Sequence, residues 1–249
     1  MDLIQALAAE LGKDPRHVEN VVHLLDEGNT IPFIARYRKE LHGAMDDTSL
    51  RTLEERLQYL RGLEERREAV KKSIDEQGKL TDELAATIDS AKTLAEVEDL
   101  YRPYKQKRRT RATMAKEKGL EPLAALLFAQ ERDCPRPEEA ARDFVDPEKG
   151  VETVEDALQG ASDIIAEQIS DDAAIRKSLR ALISRQGQLV SRAATEDDSV
   201  YRLYYHFTQS VARLQGHQVL AINRGEKEGI LKVSITLDRE QALPLLRRA

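Results

Sequence analysis

The chain has 249 residues, 41% of them hydrophobic and 34% charged, with 12 Gly, 8 Pro, no Trp and a single cysteine. That length holds one large domain or two to three small ones, and the composition excludes collagen-like and low-complexity character. Cys134 alone excludes an internal disulfide framework or a Cys-rich zinc module, and the longest apolar run, residues 123–129, falls far short of the roughly 18 residues of a membrane span.

Read along the chain, the pattern is helical. A first helix is expected over residues 3–11, capped by Asp2 and stopped at Gly12. Asp14 caps a second, with Pro15 at its first position and the stripe Val18, Val21, Val22 and Leu25, ending at Gly28. Pro32 opens a third, carrying Ile34, Tyr37 and Leu41 toward a core and ending at Gly43. Three short helices with tight Gly turns suggest a small bundle of helix-turn-helix type. A long helix follows over 47–77, with Leu50, Leu53, Leu57 and Leu60 in a 3-4-3 spacing continued less regularly by Leu63, Val70 and Ile74, and with Glu64 and Arg67 breaking it as a coiled-coil seam. Glu68 stands where it can pair with Lys71 or Lys72.

Thr81 caps the next helix, and Thr93 with Glu96 forms a capping box for another that Pro103 interrupts. Helices are expected over 111–118 and from Pro122 to Phe128, then a linker at 133–137 and a turn at Asp146-Pro147. Two further helices span 154–169 and 173–185. After Gly187 the period changes. Leu189 and Val190 sit in a short strand-like piece, and Leu231, Val233, Ile235 and Leu237 alternate with polar residues as the one convincing strand. Either 188–193 pairs with it or its partners lie beyond residue 249.

The formal net charge of −6 hides an uneven distribution. Between Asp99 and Glu117 stand seven cations and no anion: Arg102, Lys105, Lys107, Arg108, Arg109, Arg111 and Lys116. The rest of the chain carries 32 cations against 45 anions, a net of −13. Local density, rather than net charge, is what phosphates feel. These seven are the candidate nucleic-acid-binding residues, with Tyr101 and Tyr104 as candidate stacking partners for bases. On the opposing reading, the two tyrosines anchor a core and the cations neutralise acidic neighbours of the same protein.

Two smaller groups carry the same pair of readings. Arg36, Tyr37, Arg38 and Lys39 form a second group on the third helix, either a DNA-reading surface or a solvated set of cations left outside as Ile34 and Tyr37 face a core. Tyr201, Tyr204, Tyr205 and Phe207 form either a base-stacking platform or an arm packed on the helical body.

No catalytic residue is singled out. The 225–229 segment, with glycines at both ends, lacks the spacing of a phosphate-binding loop, and no His-Glu-x-x-His motif occurs. The five histidines are scattered, Cys134 lies in a linker, and Asp46-Asp47 and Asp171-Asp172 read as helix-start residues. No enzyme, metal or cofactor is expected. The N-terminus has neither a basic nor an apolar leader region, so a cytoplasmic location without membrane association is expected.

Four strings, in order, carry a resemblance: IPFIARYRKE at 31–40, LEERL at 53–57, YRPYKQKRRTRATMAKEKGLEPL at 101–123 and HQVLAINRGEKEGIL at 217–231. The sequence resembles the N-terminal part of the bacterial Tex family of transcription accessory proteins, with residues 197–207 matching poorly. The resemblance implies a nucleic-acid-binding protein acting in transcription, with RNA or single-stranded DNA and the transcription machinery as partners. It also implies continuation into a YqgF-type domain, helix-hairpin-helix motifs and an OB-fold, so the chain reads as the front part of something longer. Binding by this region alone is expected to be weak, salt-sensitive and sequence-independent.

The expectation is a mainly α fold with a small β element near the C-terminus. It divides into a bundle at 1–45, a long helix, helical pair and basic segment at 46–132, a second helical region at 133–187 and an arm at 188–249. The function expected is that of a nucleic-acid-binding scaffold region. The alternatives are a purely structural module docking on downstream domains and a nuclease-like hydrolase.

Overall fold

Asp14 at an N-cap and Pro15 at the first helical position start a helix wherever hydrophobic spacing supports one, and the first unit is built from such pieces. In a computed structural model, which describes residues 3–106, 109–131, 134–195 and 198–248, the chain forms two compact units, Met1–Tyr104 and Lys105–Ala249. The first contains α1 (Leu3–Leu11), α2 (Pro15–Asp26), α3 (Ile31–Tyr37), α4 (Asp47–Asp75), α5 (Asp82–Ser90), α6 (Leu94–Tyr101) and a 3-10 turn, Arg102–Tyr104. Asp14 accepts from the Arg16 amide, Thr81 from Leu84 and Thr93 from Glu96, while the Glu96 carboxylate, expected to close a capping box, accepts from the Lys92 amide at 2.7 Å. Asp2 lies outside the described residues.

At about 1.5 Å per residue, α4 is a rod of some 43 Å. Leu50, Leu53, Leu57, Leu60, Leu63, Val70 and Ile74 are all buried along it. They meet Leu7, Val18, Val21 and Ile34 toward its start, and Ile88 and Val97 are buried in the same cluster. Arg67 belongs to this stripe rather than breaking it. Its side chain is buried, donating to the Ala91 carbonyl and to Glu64. A guanidinium can lie in a core when its N–H groups find acceptors there.

The second unit begins with α7 (Arg111–Glu117), α8 (Glu121–Ala129), α9 (Pro137–Arg142), α10 (Val154–Asp171) and α11 (Ala173–Gln186). Small residues let α10 lie close to α7 and α8: Ala112, Ala115, Ala124, Ala157 and Ala161 are buried together with Leu120, Leu123 and Ile164. Next come β1 (Gln188–Ala193), β2 (His206–Ser210), α12 (Gly216–Lys227), β3 (Leu231–Thr236) and α13 (Arg239–Arg248). The strands form one antiparallel sheet in the order β2-β1-β3, so 188–193 is the central strand and pairs on both edges.

The fold is thus mainly helical, with thirteen α-helices and one three-stranded sheet among the described residues. The sequence reading departs from it in places. Tyr37, expected to face a core, is 56% exposed, because α3 ends at that residue and buries Ile31 and Ile34 instead. Residues 224–227 form the last turn of α12, and Gly229 takes the left-handed conformation beyond them. Among the described residues no helix is long and apolar enough to cross a membrane.

Candidate nucleic-acid interface

The basic segment runs across the division between the two units, and each side is placed by its own unit. In the first, α6 delivers Tyr101 onto the core. Its ring is half-buried, its hydroxyl shares a 3.0 Å hydrogen bond with Ser73 Oγ, and the Arg66 guanidinium carbon lies 5.4 Å from its centroid. One face of the ring is therefore already covered by a cation. Tyr104 also packs half-buried against this core, and its carbonyl accepts from Gln77 Nε2 at 3.0 Å. Arg102 is exposed on the 3-10 turn between them.

In the second unit Lys105 is exposed, and Lys107 and Arg108 lie outside the described residues. Arg109 reaches Glu117 at 2.8 Å, with its own side chain 69% exposed. Thr110 caps α7 by accepting from the Thr113 amide, and its hydroxyl donates to Glu167 on α10 at 3.0 Å. Arg111 is the first residue of α7 and stands 3.5 Å from Asp163, one turn before Glu167 on the same helix. Its side chain is 79% exposed and that of Asp163 only 14%. Lys116 lies 3.3 Å from Glu121. Arg109, Arg111 and Lys116 thus each face a carboxylate of their own unit. Contacts of this kind between exposed groups contribute only about 0–1 kcal/mol and are readily exchanged.

The other aromatic groups are more firmly committed. Tyr201 is buried and donates to Glu228 at 3.0 Å; burial and that carboxylate together raise the pKa of its phenol. Tyr205 donates to Ser199 at 2.9 Å, and Tyr204 meets Phe207 edge-on at 5.3 Å. On α3, Phe33 and Tyr37 lie 5.2 Å apart with Arg38 over the Phe33 ring, while Arg36 and Lys39 are exposed. Sequence spacing did not mark Tyr37 as an exposed aromatic beside cations.

Residues 1–75 match the Tex-like protein N-terminal domain, and residues 133–247 match the Tex central region-like family. The chain belongs to the Tex family. Over 94% of its length it is 48% identical to an uncharacterized protein, YdcI, of Bacillus subtilis, of which it spans 33%. It is 42% identical over 94% of its length to the transcriptional accessory protein Tex of Neisseria gonorrhoeae, spanning 31% of that protein. It is 30% identical over 95% of its length to the human S1 RNA-binding domain-containing protein 1, spanning 24%. The chain therefore covers a third or less of these relatives. In Tex terms, the N-terminal domain corresponds to α1–α4 and the central region to α9–α13. The basic segment falls between the two matched regions.

Proposed function

We propose that this part of a Tex protein is a nucleic-acid-binding scaffold region of a cytoplasmic transcription accessory factor. It would take RNA or single-stranded DNA weakly and without sequence preference, and catalyse no reaction. The observation that carries the reading is the run of seven cations without an anion, in which Arg109 and Arg111 keep their guanidinium groups in solvent. Arg111 adds a second argument. A cation in the first turn of a helix opposes the helix dipole, so its position on α7 suits a group with work outside the fold. Relatives carrying transcription-accessory and S1 RNA-binding names support the same reading.

The test is fluorescence anisotropy with a labelled oligouridylate, comparing the chain with R108A/R109A/R111A. The variant is expected to lose about tenfold in affinity at low salt, and its salt slope to fall by about 2. Unchanged binding, or no binding by the parent, overturns the proposal. The pairs Arg109–Glu117, Arg111–Asp163 and Lys116–Glu121 favour a second reading, in which the cations only hold their own unit together. That reading expects the triple variant to unfold at lower temperature.

A further inference from the structure

The three-stranded sheet has one covered face and one open face. Leu189 and Ser191 point to the covered side and are buried, and α12 packs there, with Gln218 donating to Gln209 at 3.2 Å. The alternation of a strand sends the intervening residues to the other side. On that side the register places His206, Arg192 and Lys232 in one row across β2, β1 and β3. The next rows hold Thr208, Val190 and Ser234, then Ser210, Gln188 and Thr236. His206, Arg192, Lys232, Thr208, Ser234, Gln188 and Thr236 are all exposed.

A polar outward face is ordinary for an antiparallel sheet, but this row is not. Arg192 and Lys232 are direct cross-strand partners, and like charges in that position destabilise the pairing. Among the described residues, no carboxylate pairs with the side chain of either one, or with that of His206. Among the described residues this repulsion thus has no compensating partner, a pattern that belongs to functional surfaces.

We infer that this open face is a second contact for single-stranded nucleic acid, its phosphates lying along the His206–Arg192–Lys232 row. Strands about 4.8 Å apart put the outer two side chains roughly 10 Å from each other, enough to engage two successive phosphates. Arg192 supplies a bidentate donor and Lys232 a point charge. The hydroxyls of Thr208 and Ser234 stand beside them as donors to sugar and phosphate oxygens. The inference rests on the nucleic-acid reading above but uses none of the residues of the basic segment.

R192T/K232T tests it, threonine being at home in a strand. Binding of the 249-residue chain to labelled oligouridylate should weaken several-fold at low salt. The salt slope should fall by about 1.4, the share of two phosphate contacts on a single strand. The melting temperature should hold or rise, because the repulsion is gone. The charge-keeping swap R192K/K232R should retain the parent affinity. If the parent binds and R192T/K232T binds identically, the sheet face is not a contact while the basic segment remains one. If the parent does not bind at all, both readings fall. If R192T/K232T keeps oligonucleotide affinity but loses a polyglutamate peptide, the face serves an acidic protein and the inference is overturned. Equal losses in both variants with lowered melting temperature would make the effect structural and overturn it too.

Discussion

Arg67, 2% exposed, donates through Nη2 to the carbonyl of Ala91, joining the middle of α4 to the residue that ends α5. Replacing it with alanine leaves that carbonyl unpaired and opens a cavity, at a cost of roughly 2–4 kcal/mol. Methionine keeps the volume of the stem and removes the buried Nε, which has no acceptor of its own. Thermal melts should therefore rank the native chain above Arg67→Met and Arg67→Met above Arg67→Ala. An alanine variant as stable as the parent would show the guanidinium to be irrelevant to the core.

Two arginines of α4 hold the N-terminal helices through forked contacts. Arg56 meets Glu10 of α1 at 2.7 and 2.9 Å, and Arg61 meets Asp26 of α2 at 2.7 and 2.8 Å. These hydrogen bonds lower both carboxyl pKa values below the ordinary range. A lowered folded-state pKa means stabilisation that is complete above the unfolded value and lost as pH falls through the folded one. Both pairs are partly solvated, so each contributes only about 0.5–1 kcal/mol. Urea melts of the parent should weaken progressively below about pH 4. E10Q/D26N should be less stable at neutral pH and lose less on acidification; parallel pH profiles would count against the two forks.

Glycine-to-alanine changes in two helices should have opposite signs. Gly62 in α4 has nothing within 4 Å of where a Cβ would stand, so Gly62→Ala should stabilise by about 0.5–1 kcal/mol. At Gly160 in α10 the same atom would collide with the Leu120 side chain and crowd Ala115 Cβ at 3.3 Å. Overpacking should outweigh propensity there, giving a net loss of roughly 1–2 kcal/mol. Chemical denaturation of the two single variants decides the matter, and a stabilising Gly160→Ala would mean that Leu120 moves aside freely.

Tyr101 allows a test of whether its ring serves packing or bases. Tyr101→Phe removes the hydrogen bond to Ser73 and should cost about 0.5–1.5 kcal/mol, leaving the ring on the core. Oligonucleotide affinity should be unchanged, since the phenylalanine ring is held against Arg66 in the same way. Loss of affinity in a fully folded Tyr101→Phe would assign the hydroxyl to a ligand.

The helical part of this fold was legible because its signals are local. Asp14, Thr81 and Thr93 mark helix starts by side-chain chemistry, and the leucines of α4 mark a face by spacing. The parts that escaped depend on distant partners. In β2, His-Phe-Thr-Gln-Ser has one apolar residue, and only pairing with β1 makes it a strand. In α13, Pro244 denies an internal hydrogen bond to a helix that packs against α11. Arg67 read as a break because burial of a cation depends on Ala91, 24 residues away. The basic segment was plain as a run of charge. That Tyr101 faces Arg66, and that Arg111 faces Asp163, follows only from how each unit folds. The row on the sheet was invisible, since Arg192, His206 and Lys232 are unremarkable until register aligns them.

The order β2-β1-β3 bears on how the chain leaves the ribosome. Its central strand is made first, and both flanking strands come later. Until Thr236 has emerged, Gln188–Ala193 keeps at least one edge open to any neighbouring strand. Nascent chains stalled between β1 and β2, with both edges of the central strand open, should therefore be the species that depends most on chaperones.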